Sequence, residues 1–216
     1  MGDDFCKLEK TLSEDEKRLL DIQNSRLVSE HKSTSLEKDA KKFWDLFYKR
    51  NETRFFKDRH WTTREFEELL DDAPTVRGRK VLFEIGCGVG NLIFPLLDEC
   101  NLYVIACDFS PRAVEMVRSD DKFDPERMRV FQADITTQDV LGEIEACSVD
   151  IATLVFVLSA IHPQKFIEVL RNVFAVLKPG GVVLFRDYGL YDMAQMRFKA
   201  GHKISENFYM RQDGTR

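Results

Sequence analysis

The chain has 216 residues, a length that fits one domain with an appendage or at most two small domains. Hydrophobic residues make up 44%, with 17 Phe among them, which excludes global disorder and supplies a real core. A formal net charge of −5 excludes a histone-like, nonspecific nucleic-acid binder but leaves room for a local basic surface.

The N-terminus, Met1 to Cys6, lacks signal-peptide character, and no apolar run approaches the length needed to span a bilayer. Gly2 is not read as a myristoylation site, because Cys6 stands where Ser or Thr is expected. The five cysteines are scattered without a C-x-x-C pair. That argues against a disulfide framework or a zinc site and for free thiols in a reducing cytoplasm or nucleus.

Residues 1–35 form a polar arm, in which Ser13 followed by Glu16 resembles a capping box and predicts a helix over 14–28. Residues 36–75 read as a helical cap: Phe43, Trp44, Phe47 and Tyr48 recur at helical spacing, followed by Phe55, Phe56, Trp61 and Phe66 among basic residues. From residue 76 a third unit begins, with strands predicted at 80–85, 102–107, 128–132, 149–157 and 181–186. Helical patterns at 91–99, 111–118, 138–144 and 163–177 lie between them. The strands are continuous apolar runs, as in strands buried on both faces, so the fold class is α/β with a doubly wound, Rossmann-like sheet. Lys178-Pro179-Gly180-Gly181 ends the last helix and turns the chain into the fifth strand.

In such a sheet ligands bind outside the carboxyl ends of the strands. The first strand runs into Glu84-Ile85-Gly86-Cys87-Gly88-Val89-Gly90, where alternate glycines allow either a ligand loop or a plain tight turn. A dinucleotide fingerprint would require Gly at position 91, where Asn91 stands, so a nicotinamide enzyme is disfavoured. The second strand ends in Asp108, a carboxylate suited to both hydroxyls of a ribose or to capping the helix before Pro111. The third ends in Asp134, which can accept a hydrogen bond from an exocyclic amine such as that of adenine. The fourth ends in an apolar stretch whose Val155 can lie against a purine or simply fill the core. Together the four ends describe a pocket for an adenosine with a charged substituent.

The acidic-x-Gly-x-Gly-x-Gly turn, Asp108, Asp134 and Lys-Pro-Gly-Gly over residues 80–186 resemble the class I S-adenosylmethionine-dependent methyltransferases. The resemblance implies Gly86, Gly88 and Gly90 beside the methionine part of that cofactor, Glu84 supporting the turn or the amino group, Asp108 on the ribose, Asp134 at the adenine and Val155 against the ring. Phe-Phe-Lys-Asp-Arg-His-Trp at 55–61, Phe-Ser-Pro-Arg-Ala at 109–113, Phe-Val-Leu-Ser-Ala at 156–160, Arg-Asp-Tyr-Gly at 186–189 and Arg-Gln-Asp-Gly-Thr at 211–215 narrow it to the tRNA 3-methylcytidine methyltransferases. That family implies methylation of a cytidine in the anticodon loop, often of serine or threonine tRNA, with seryl-tRNA synthetase as a helper for some members. It also implies that Trp44 and Tyr48 close over the cofactor. The pattern would continue past Arg216 into two further strands, so the C-terminal part of the sheet is expected to be incomplete.

Basic groups interleaved with aromatics suit RNA, because cations meet phosphates and rings stack on unpaired bases. Lys57, Arg59, His60 and Arg186 are the candidates, and Asp187 is the candidate catalytic carboxylate, able to balance the charge that develops on a methylated cytosine. A buried aromatic lid with solvated charges, a packed His60 imidazole and a structural Asp187 fit the same residues. Residues 41–64 carry 8 basic and 3 acidic groups, and 65–185 carry 11 and 20, so a basic face on an acidic core is predicted. The competing readings are a non-catalytic cofactor- or partner-binding module and a methyltransferase acting on a protein or small molecule.

Overall fold

The computed structural model describes residues 10–70 and 78–216. Gly2, Cys6, the start of the polar arm and the expected 75/76 boundary lie outside the described residues. Helix α1 (Glu14–Asn24) opens on the predicted capping box, the Ser13 side chain accepting from the Glu16 amide while the Glu16 carboxylate accepts from the Ser13 amide. It stops at Asn24, short of the predicted 28, and α2 (Glu30–Lys38) starts afresh on the cap of Ser29. Helix α3 (Ala40–Asn51) carries Phe43, Trp44, Phe47 and Tyr48 and buries the last two, and the short α4 (Thr62–Glu65) follows.

The core alternates as predicted: β1 (Lys80–Ile85), α5 (Ile93–Glu99), β2 (Leu102–Asp108), α6 (Pro111–Arg118), β3 (Met128–Gln132), α7 (Asp139–Glu143), β4 (Val149–Val155), α8 (Phe166–Val176) and β5 (Leu177–Arg186). The five strands are parallel in the order β3-β2-β1-β4-β5. Strand order reverses between β1 and β4, which opens the crevice where such sheets bind ligands. Successive residues alternate between two apolar layers. Leu82, Val104 and Ile151 enter one with Leu96 and Val117, whereas Phe83, Ile105 and Ala152 enter the other with Val169 and Val173. Both faces are covered, which is why the strands read as unbroken apolar runs.

Lys178-Pro179-Gly180-Gly181 differs from the predicted turn. The strand already begins at Leu177, pairing with Val149, and resumes its register at Val182 opposite Ile151. The four residues between bulge out, and Lys178 Nζ pairs with both carboxylate oxygens of Asp150 at 2.7 Å. At β5 the sheet has an edge with Val183 and Phe185 exposed, beside the exposed Ile167, Leu170 and Phe174 of α8.

After α9 (Met193–Met196), a small antiparallel hairpin of β6 (Lys203–Ser205) and β7 (Phe208–Tyr209) leaves the main sheet altogether. It packs on the N-terminal helices: the Val28 amide donates to the Lys203 carbonyl, and Met210 joins Val28 and Leu36 in one cluster. Buried Gln23 donates to the Gln195 and Phe198 carbonyls, tying α1 to the same segment. No helix among the described residues is long and apolar enough to cross a membrane.

Candidate functional site

The carboxyl ends of β1, β2 and β3 face α2 and α3 across a cavity of about 380 Å³, within the range of roughly 300–1,000 Å³ typical of small-molecule sites. Its inner wall comes from Gly86, Asp108, Asp134, Thr136 and Thr137, and its outer wall includes Trp44 and Tyr48. Tyr48 approaches the glycine turn so closely that a side-chain carbon on Gly88 would stand 3.1 Å from its hydroxyl. Gly90 adopts φ +88°, and a side chain there would meet the Phe94 ring at 2.4 Å, so that glycine serves turn-to-helix packing.

Asp108 is buried, its carboxylate accepting from the Gly88 amide at 3.0 Å and the Ser110 amide at 2.9 Å. It therefore braces the glycine turn from below. The helix-capping role weighed for it belongs to Ser110, whose hydroxyl accepts from the Ala113 amide. Burial raises the Asp108 carboxyl to about 6 despite these amides. Glu84 lies deeper, and burial lifts it to about 8 although the nearby Arg59 guanidinium opposes the shift. One of its carboxylate oxygens has no hydrogen-bond partner among the described residues. A buried carboxyl with an unpartnered oxygen beside a glycine turn is suited to a cationic ligand group, whose charge would favour the ionised form. Asp134 folds an Asx turn, accepting from the Thr136 amide at 2.9 Å.

Val155 falls elsewhere than expected. It is the last residue of β4 and its side chain points into the core layer, so it does not line the cavity. Phe156 then takes a left-handed conformation (φ +58°), and Phe156 and Val157 supply the apolar wall instead. The strand signal covers the stretch, but the conformational break inside it changes which residues line the cavity.

The cap is fastened to the core by polar contacts. Asp45 of α3 accepts from the Ser110 hydroxyl at 2.9 Å and from the Arg112 amide at 3.3 Å. Arg59 turns inward: its guanidinium donates to the Val155 carbonyl at 3.2 Å and lies 5.4 Å from the Phe156 ring centre. Burial lowers its pKa, against the pull of Glu84. Arg186 pairs with Glu65 and lies 4.4 Å over the Trp61 ring. Neither guanidinium is free to serve phosphates alone. Lys57 is exposed, with no hydrogen bond or ion pair among the described residues, and His60 is exposed with Nδ1 3.6 Å from Glu99. Asp187 accepts from the Ser159 amide at 3.0 Å and from the Tyr188 amide at 2.9 Å, which staples the loop after β4 to the end of β5.

A methyltransferase-domain family model matches residues 83–183. Human tRNA N(3)-cytidine methyltransferase METTL6 is 56% identical over 205 residues, spanning 94% of this chain and 72% of its own length. The chain belongs to the tRNA N(3)-cytidine methyltransferase family. Drosophila melanogaster tRNA N(3)-methylcytidine methyltransferase Mettl2 is 49% identical over 197 residues, covering 88% of this chain and 60% of that protein. Among solved structures, a chain from the complex of the Haloferax volcanii Trm112 methyltransferase activator with a methyltransferase aligns at a TM-score of 0.50 and 20% identity. It covers 68% of this chain and 59% of that one, a likeness of fold alone.

In this family member the cavity residues that the sequence did not mark include, besides Phe156 and Val157, Glu37, Lys165, Arg216 and Thr137. The Thr137 position, three after Asp134, could have been read as part of an Asx turn. Glu37, Lys165 and Arg216 meet from distant parts of the chain, and no local pattern marks them.

Proposed function

We propose that this chain transfers a methyl group from S-adenosylmethionine to N3 of a cytidine in the anticodon loop of a tRNA. The observation that carries the reading is the buried Glu84, which has an unpartnered carboxylate oxygen and lies two residues before Gly86 of the glycine turn, behind a cavity that Asp108 and Asp134 line. The cofactor fits this donor set. Glu84 would take the amino group of the methionine part, Gly86, Gly88 and Gly90 would let the backbone approach it, and Asp108 would accept from the ribose hydroxyls. Asp134 would sit at the adenine, with Trp44, Tyr48, Phe156 and Val157 excluding water. When bound, the cofactor supplies an electrophilic methyl on a sulfonium centre.

The chain's own residues then need only orient the acceptor. N3 of cytosine presents a lone pair, so it accepts a methyl without prior deprotonation, and rate comes from in-line positioning. The base must leave its stack, which favours a single-stranded loop. Asp187 acts in this reading as a positioning residue: held by the Ser159 and Tyr188 amides, it ties the loop after β4 to the end of β5, where the Phe156 and Tyr188 rings stand 5.0 Å apart between centroids. The cap, residues 36–75, serves both cofactor and RNA. Lys57 and His60 are left for phosphates, while Arg59 and Arg186 hold the cap. Serine and threonine tRNAs as substrates, seryl-tRNA synthetase as a helper and a cytoplasmic or nuclear location follow from the family reading.

Incubating purified tRNA with the chain and methyl-labelled cofactor, followed by nucleoside mass spectrometry, tests the proposal. Labelled 3-methylcytidine is expected. Label in another nucleoside, or none despite cofactor binding, contradicts it and favours the non-catalytic module.

A further inference from the structure

The outer wall of the cavity rests on a three-residue ionic cluster. Glu37, near the end of α2, accepts from Lys165 Nζ at 2.6 Å and from the Arg216 guanidinium. Lys165 sits in the turn that leads into α8, and Arg216 follows the β6–β7 hairpin, so the cluster joins three separate parts of the molecule at one point. All three residues line the same cavity as Asp134. Arg216 is itself largely buried, its guanidinium 5.6 Å from the Phe208 ring, and Phe208 meets His162 edge-on at 5.3 Å. Burial pushes the Glu37 carboxyl up, but the hydrogen bonds from Lys165 and Arg216 outweigh it and hold the carboxyl below its ordinary value. It is therefore charged at neutral pH.

Helix α2 has little else to fix it. Leu36 is its one buried residue, and the helix is only 9 residues long. The wall continues through Lys38, its last residue, into Ala40, Lys41 and Trp44 of α3. A partly buried ion pair gains little net stability, because desolvation offsets attraction, but it does select one geometry over its neighbours.

We propose that Glu37 is a positioning residue that, through Lys165 and Arg216, sets the outer wall of the cofactor cavity and so governs how tightly the cofactor is held. This rests on the cavity being the adenosylmethionine site. The cluster acts on retention of the ligand and leaves the methyl-transfer step itself untouched.

The test is calorimetric binding of S-adenosylhomocysteine, an unreactive probe, to the full chain and to Glu37→Gln, Lys165→Ala and the double variant. Steady-state kinetics on tRNA and thermal melts accompany it. Glu37→Gln is expected to weaken binding about fivefold, the net scale of one ordinary hydrogen bond, because the loss reaches the ligand only through the wall. It should raise the cofactor KM in proportion and leave kcat at saturating cofactor unchanged. Because the two residues act through one contact, the double variant should bind no more weakly than Glu37→Gln alone. Wild-type affinity in Glu37→Gln, or additive losses in the double variant, would overturn the proposal. So would a fall in kcat that tracks a lower melting temperature, which marks a merely structural role. If the wild-type chain bound no probe, the reading of the cavity would fall first and this proposal with it; if wild type and Glu37→Gln bound equally, only this proposal would fall.

Discussion

The strand ends and the cap form the two sides of one cavity, yet they use charge in opposite ways. At the strand ends, Glu84 and Asp108 are buried carboxylates, one with an unpaired oxygen, kept available at a cost in desolvation. Around the cap, cations that look available in the sequence are consumed in docking it: Arg59 on the Val155 carbonyl, Arg186 of β5 on Glu65 and Trp61, and Arg211 over the Phe47 and Phe55 rings at 5.1 and 4.9 Å. A buried site reveals itself by unsatisfied groups. An interface for a large polyanion must be sought among the cations left over after the protein has satisfied itself.

The comparison breaks most visibly at Asp108. Asp108→Ala leaves the Gly88 and Ser110 amides without their acceptor, and cofactor affinity measured by calorimetry should fall about 100-fold, given roughly 2–3 kcal/mol for hydrogen bonds to a charged group. Arg59→Ala, on the cap side, should act on stability. Losing its buried contacts should cost about 2 kcal/mol, or roughly 5 °C of melting temperature for a chain of this size.

A third prediction concerns pH. A carboxyl whose folded pKa lies above its unfolded value takes up a proton on folding, so it favours the folded state at low pH and disfavours it as pH rises through the folded value. Glu84, lifted from 4.5 to about 8, should therefore make the ligand-free chain lose stability between pH 5 and 8, with Asp108 adding to the loss below about 6. Glu84→Gln should flatten most of that slope in urea titrations at pH 5, 6.5 and 8. An unchanged slope would remove Glu84 as its source.

The legibility of the sequence followed the same divide. The five core strands and the glycine turn were readable because strands buried on both faces carry uninterrupted apolar runs, and parallel topology gives their ends one destination. Val155 shows the limit: the run was found, but the left-handed Phe156 redirected the wall to its neighbours. The cap's aromatics were placed on a helix correctly, whereas the fate of its arginines was not readable, since Arg59 and Val155 are 96 positions apart. The bulge at Lys178–Gly181 depends on Asp150 across the sheet, and the β6–β7 hairpin depends on the N-terminal helices it covers. Helix α2 and the Glu37 cluster depend likewise on long-range partners, which periodicity cannot supply.

The most direct test of the division between docking and RNA-facing cations is the salt dependence of tRNA binding for wild type, Lys57→Ala and Arg186→Ala, with melting temperatures measured in parallel. For Lys57→Ala the magnitude of the slope of log K against log salt should fall by about one unit without a change in melting temperature. Arg186→Ala should keep the slope and lose about 2–3 °C, the worth of an exposed cation–π contact in a protein of this size. The reverse pattern, a lost unit of slope for Arg186→Ala at unchanged stability and none for Lys57→Ala, would contradict the account.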